Sequence, residues 1–431
     1  MLIAPVGQKR TRRLALILAV GLGVLALTLS IALPIVLPVF HFPQPSGPYS
    51  VGTLTYHWVD TDRPEVFSAD SSARRELMVQ IWYPAKAGPP SPSPSDRARY
   101  VEDADALAKA FSRLKHLPQF VFASLNYVTT HAIPSAPVAD DRPNYPVLIF
   151  LEGAFGFRQM NTFQVEALVS HGYIVAAIDQ PYTAASVVFP EGREVGALPL
   201  AQMMPLIHQS YSPSAIAPTL NGRAVEKGII PYLAQDVIFT LNQLAALNQT
   251  DPNRVLTGRL DLLHVGTFGV SLGGIVGGEA CRIELRLRAC LFMDAMMPVD
   301  VVKSGLQQPA KWITRDTETM RLERRRSGGW SEAEISAHQT SMGTAFKNLR
   351  GAGYFVQVPG MFHVNLTDIP YWSPLLPWLG VTGPIKAQRA HDIINAYSMA
   401  FFNRHLLGRA EGLLDGPAGQ YREVIFNARR P

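Results

Sequence analysis

A doubly wound α/β fold is what this sequence predicts, on three observations. Continuous apolar runs of strand length recur from Tyr145 onward, as in parallel strands buried on both faces. Helical stretches separate these runs, the alternation that builds a mostly parallel sheet with helices on both faces. One run, residues 262–270, ends in Gly269-Val270-Ser271-Leu272-Gly273-Gly274 and passes directly into a stretch, 275–283, that can form a helix despite Gly277 and Gly278. A serine held on a sharp strand-to-helix turn needs small neighbours two residues before and two after it, and glycine supplies both.

The chain has 431 residues, 47% of them hydrophobic and 17% charged, enough for one large domain with insertions or for two domains. The formal net charge is +5, and Lys9, Arg10, Arg12 and Arg13 carry most of it at the extreme N-terminus. The remainder is nearly neutral, which gives no nucleic-acid footprint. The basic run 321–326 reads as a solvated helix face. Cys281 and Cys290 form no CxxC or metal cluster; they read as two buried free thiols, with a disulfide as the alternative in an oxidising compartment. No Walker or dinucleotide glycine pattern and no short-spaced metal-ligand set is present, so neither a cofactor nor a metal is expected.

Taken in order, residues 1–13 are a basic tail expected on the cytoplasmic side. Residues 14–40 carry no charge and are long enough to span a bilayer. The basic residues before them place the rest of the chain across the membrane; a cleaved signal peptide is the alternative. Pro34, Pro38, Pro43 and Pro45 predict an extended exit, with 41–50 as a tether. Residues 51–431 form the catalytic domain. Within it, 52–59 and 76–83 read as strands, and 88–95 as a Pro/Ser loop. A helix is expected near 104–114, inside an insertion at 97–140 whose apolar stretch from Phe120 reads as packing over the core, with covering a site or touching lipid as the alternative. Tyr145–Leu151 is a buried strand, followed by the loop Glu152-Gly153-Ala154-Phe155-Gly156, a helix to about His171, and a strand at 173–178. Residues 181–230 are a second insertion, of the length of a lid or binding element. A helix follows from Pro231 to Leu247. Beyond the serine turn, 288–293 and 310–314 read as strands, 331–349 as a helix, 354–358 as a strand, and 385–407 as the last helix.

Sheets of this kind place their chemistry at the carboxyl ends of the strands, and Ser271, Asp294, Asp316, His363 and the 152–156 loop all follow apolar strands. Serine hydrolysis needs a base for the hydroxyl proton, an acid to orient the base, and N–H donors for the oxyanion. Of the histidines after Ser271, His338 lies in a polar helix and His391 on the terminal helix. His363 alone sits in a loop just past a strand, which makes it the candidate base. Asp294 and Asp316 both suit the acid, and spacing does not choose between them; the other is expected to cap a helix or turn. The N–H groups of Leu272 and Ala154 are the candidate oxyanion donors. Glu152 reads either as a support of that loop or as a surface carboxylate.

With these residues in view, Tyr145-Pro-Val-Leu-Ile-Phe, Gly153, Gly156-Phe-Arg158, residues 170–177, the Gly269–Gly274 turn, Met293-Asp-Ala-Met296 and Gly360-Met-Phe-His363 together resemble the α/β-hydrolase type of platelet-activating factor acetylhydrolase. Gly47-Pro-Tyr-Ser-Val-Gly52 resembles that family's opening. The resemblance spans roughly residues 47–405. It implies an α/β-hydrolase fold, Ser271 as nucleophile, His363 as base, Asp294 rather than Asp316 as acid, and Ala154 and Leu272 as oxyanion positions, acting without a metal on short-acyl or lipid-like esters. Glu152 stands where the family usually has histidine. The expected function is a serine carboxylic ester hydrolase held at a membrane. The alternatives are an acyltransferase of the same fold using an envelope acceptor, or a non-catalytic binding protein.

Overall fold

The structure, a computed structural model, describes residues 6–86 and 93–430; the first five residues of the basic tail and most of the Pro/Ser loop lie outside them. Ten strands form one sheet: β1 Ser50–Pro64, β2 Arg74–Ala85, β3 Ile133–Pro134, β4 Tyr145–Leu151, β5 Ile174–Asp179, β6 Leu260–Val270, β7 Leu287–Met293, β8 Ala310–Thr314, β9 Gly353–Gln357 and β10 Ile425–Arg429. Their order is β10-β9-β8-β7-β6-β4-β5-β2-β1-β3. From β5 through β9 neighbouring strands are parallel, whereas β2 and β10 run antiparallel to their neighbours β5 and β9. The strand order reverses around β4, where a crevice for a ligand opens in such sheets.

The strands of the parallel stretch are buried because helices cover both faces. On one side α2 (Ala104–Lys115), α3 (Thr162–Ser170) and α10 (Ala387–Leu407) pack their apolar residues on the sheet. On the other side lie α4 (Leu200–Tyr211), α5 (Ile230–Gln249), α6 (Leu272–Ile283), α7 (Val299–Ser304) and α9 (Glu332–Lys347). Helix α8 (Thr317–Ser327) contains the basic run, and Arg321 and Arg324 pair with Glu332 at the surface, as a solvated face would. In the first insertion, Phe122 and Leu125 are buried in the core while Phe120 stays exposed. The second insertion holds α4 and two short hairpins, 186–196 and 219–224, more regular structure than its sequence suggested.

Three expectations need correction. Cys281 and Cys290 are not free thiols but a disulfide. The last turn of α6 and the middle of β7 face each other across a short connection, with the two Cα atoms 6.7 Å apart. The apolar helix α1 (Val6–Val36) stops short of residue 40, because Pro38 and the aromatics beyond it leave the helix for the domain. The tether is not a free linker either. Phe40 and Phe42 are buried, edge-on to Tyr100 at 5.7 and 5.1 Å, and Phe40 stacks on Tyr371 at 6.1 Å. Among the described residues, α1 holds the single stretch, Thr11–Val36, long and apolar enough to cross a membrane.

Candidate active site

The turn at Ser271 is built from close backbone approaches. A Cβ on Gly269 would sit 2.5 Å from the Gly273 backbone, and one on Gly273 would sit 2.1 Å from the Leu151 carbonyl oxygen. On Gly274 it would meet the Ala295 Cβ at 2.5 Å. No side chain fits at these three positions, so the glycines let α6 start directly against β4 and β7. Ser271 itself has φ 55° and ψ −120°, a conformation that non-glycine residues rarely adopt and that clusters at functional sites. Its N–H bonds the Met293 carbonyl at 2.8 Å, and the register Val270↔Met293 sets Asp294 beside it on the same rim. Asp294, at φ 49°, also has a left-handed backbone, which aspartate tolerates.

His363 follows β9, two strands along that rim from β7. Its Nδ1 lies 2.5 Å from Asp294 Oδ2, and its N–H reaches Glu323 at 3.2 Å. Asp294 is fully buried, and burial alone would favour its neutral form. The Arg315 guanidinium, two imidazoles and their hydrogen bonds outweigh this and hold its carboxyl well below the usual range. An ionised carboxylate only accepts, so His363 donates from Nδ1. That leaves Nε2, the nitrogen a general base uses, without a hydrogen bond among the described residues. Thr314 Oγ1 donates to Asp294 Oδ1 at 2.5 Å, and His338 Nε2 lies 3.2 Å from the same oxygen. Arg315 Nη2 is 2.7 Å from Oδ2 but makes no hydrogen bond there. Its N–H direction misses the oxygen, so the contact is an ion pair. Arg315 Nη1 bonds Glu323 at 2.6 Å, linking the acid to α8.

The loop after β4 closes the other side. A Cβ on Gly153 would meet Ser271 Cβ at 3.3 Å, so this loop lies against the serine. The N–H of Phe155 bonds Thr183 and that of Gly156 bonds Gly153. The N–H groups of Ala154 and Leu272 make no backbone hydrogen bond outside regular structure among the described residues, and Leu272 is the first residue of α6, where an N–H has no intrahelical partner. Glu152 is a buried support, not a surface carboxylate: Oε1 accepts from the Gln180 N–H at 2.9 Å while Oε2 has no partner. Burial, reinforced by the charge of Asp179, pushes its carboxyl well above the usual range.

The structure thus brings Ser271, Asp294, His363, Ala154 and Leu272 to one rim. Asp316 stands apart from them as the N-cap of α8, accepting from the Thr319 N–H at 3.0 Å. His391 is buried against Phe163, with ring centroids 3.7 Å apart. Thr314, Arg315 and His338 were missed from sequence. The signal for His338 was present: Ile335, His338, Met342 and Ala345 are the buried residues of α9 and recur at helical spacing. Beyond the acid, Met296, Met297, Met204, Val299, Val302 and Trp330 line a largely apolar cavity of about 960 Å³. No group of three or more His, Cys, Asp and Glu suited to a metal ion occurs among the described residues.

Residues 35–411 match the family described as platelet-activating factor acetylhydrolase, isoform II. A probable 1-alkyl-2-acetylglycerophosphocholine esterase of Arthroderma benhamiae is 24% identical over 90% of this chain and 94% of its own length. A platelet-activating factor acetylhydrolase of Cavia porcellus is 24% identical over 84% of this chain and 78% of its own. Among solved structures, a ferulic acid esterase from Streptomyces cinnamoneus superposes with a TM-score of 0.67 at 28% identity, over 90% of this chain and 99% of that one.

Proposed function

Because the chain belongs to the platelet-activating factor acetylhydrolase, isoform II, family and is an ester hydrolase of the α/β-hydrolase fold, we propose that it works through Ser271 by an acyl-enzyme intermediate. The observation that carries this reading is the strained Ser271 turn, whose N–H bonds the residue before Asp294, together with a His363 ring bonded to that ionised Asp294. Ser271 Oγ attacks the ester carbonyl while His363 Nε2 takes its proton. The Leu272 and Ala154 N–H groups face the oxyanion that forms. His363 returns the proton to the leaving alkoxide, the acyl group stays on Ser271, and water repeats the sequence to release the acid.

The substrate class is short-acyl or lipid-like esters. The relative of Arthroderma benhamiae, described by an alkylacetylglycerophosphocholine ester, supports this class. Helix α1 anchors the chain, with residues 51–431 on the extracytoplasmic side. The basic residues ahead of Leu14 favour that orientation, and the Cys281–Cys290 disulfide suits an oxidising compartment. Sequencing the N-terminus of the mature chain separates an anchor from a cleaved signal.

The test is hydrolysis of p-nitrophenyl acetate and labelling by a fluorophosphonate. Ser271→Ala is expected to lower kcat by about 10⁴- to 10⁶-fold, by analogy with removal of triad members, and to abolish labelling. Undiminished turnover in that variant would sink the serine mechanism.

A further inference from the structure

Helix α9 buries a second imidazole against the acid. His338 is 2% exposed, its Nε2 is 3.2 Å from Asp294 Oδ1, and its Nδ1 is buried without a partner. The bond to Asp294 is thus the one hydrogen bond the ring makes among the described residues. Trp330 meets the ring edge-on at 5.0 Å, and Arg315 lies 5.3 Å over Trp330, so the ring's place is fixed by packing. Asp294 is ionised and only accepts, so His338 donates from Nε2. Thr314 and His338 donate to Oδ1, His363 donates to Oδ2, and Arg315 pairs with Oδ2 by charge alone. A carboxylate turns easily about its last bond, and donors on one oxygen alone would leave the plane of the other loosely set.

We propose that His338 is a positioning residue for hydrolysis: by donating to Oδ1 it fixes the rotation of the Asp294 carboxylate and keeps Oδ2 on His363 Nδ1. This inference rests on the reading of Ser271, Asp294 and His363 given above. Arg315 and Glu323 from the β8–α8 segment, His363 beyond the acid, and Glu334 on α9 are the charged or titratable groups around this contact. Arg321 and Arg324 of α8, paired with Glu332, lie further out. His208 of α4 and Lys303 of α7 line the adjoining cavity.

The experiment compares the full chain in detergent with His338→Phe and His338→Gln, measuring kcat and KM with p-nitrophenyl acetate. Gln can set an amide N–H where the imidazole Nε2–H stands. The expected result for Phe is a fall in kcat of about 10- to 100-fold, the usual effect of losing an orienting partner, with KM changed less than about twofold. Gln is expected to recover kcat to within about threefold of wild type, since it keeps the donor. A Phe variant with unchanged kcat overturns the proposal, and so does a loss that Gln does not relieve.

Nitrogen-15 spectra of the unmutated protein supply a measurement that needs no variant. His338 is expected to carry its proton on Nε2, and finding it on Nδ1 overturns the proposal even if the Phe variant fails to fold. Turnover surviving Ser271→Ala would sink the serine mechanism and leave this measurement of the Asp294–His338 bond standing on its own.

Discussion

Asp294 takes four contacts on two oxygens inside a fully buried site, and this concentration of partners makes its protonation part of the fold's stability. Its folded-state pKa is depressed, so the stability it contributes is present above the unfolded-state value of about 3.9 and is lost as pH falls through the folded value. Asp294→Asn is expected to cost about 3–5 kcal/mol at neutral pH, the usual result of breaking a buried ion pair, and to lower kcat by about 10⁴-fold. In urea titrations the gap between variant and wild type should shrink as pH falls; a constant gap would contradict the assignment. Asp316 provides the contrast. Asp316→Ala removes a helix cap and is expected to cost about 1 kcal/mol of stability while leaving kcat within about twofold, since its side chain bonds Thr319 and not the histidine. From residue types and strand positions alone the two aspartates were equivalent, and the family resemblance chose between them. The partners of Asp294 come from the end of β8, the residue after it, α9 and the loop after β9, distant segments that no local pattern joins, so the full set surfaced only once the chain was folded.

The elements themselves were more legible. The parallel strands read as unbroken apolar runs because both faces are covered, and the Ser271 turn read through its glycines because the close approaches forbid anything else. Gly273→Ala is expected to destabilise by about 1–3 kcal/mol through overpacking against the Leu151 carbonyl and to lower turnover at least tenfold by displacing Ser271; a variant as stable and active as wild type would contradict the geometry. What sequence hid was the pairing between elements. Nothing in the spacing of Cys281 and Cys290 says that the last turn of α6 faces the middle of β7. The double variant Cys281→Ala/Cys290→Ala is expected to lose about 2–3 kcal/mol, as for other short disulfide loops, with kcat unchanged, and chemical denaturation with and without reductant checks this. Helix α4 and the hairpins of the second insertion were likewise unseen, because their stability comes from packing on α5 and the sheet rather than from periodicity.

At the scale of the whole molecule, the N-terminal segment joins two environments. Helix α1 is exposed along its apolar length, whereas Phe40 and Phe42 lie in the same core as α2 and α10. A chain beginning at residue 37 is expected to be soluble and to melt like the full chain. One beginning at residue 47 should be less stable by at least about 3 kcal/mol, since each lost aromatic leaves Tyr100 and Tyr371 uncovered; equal melting temperatures would show that the aromatics contribute nothing. The sequence predicted an extended exit at these prolines and could not predict its docking, which depends on rings more than fifty residues away. That docking has a mechanical outcome. If α1 is the anchor proposed above, an exit segment clamped by two rings would keep the hydrolase from wandering on a slack leash and hold it over the lipid headgroups at a nearly constant height. Its catch would then be set by which esters rise to that level, and lengthening the leash by a few glycines should widen the catch without altering the chemistry.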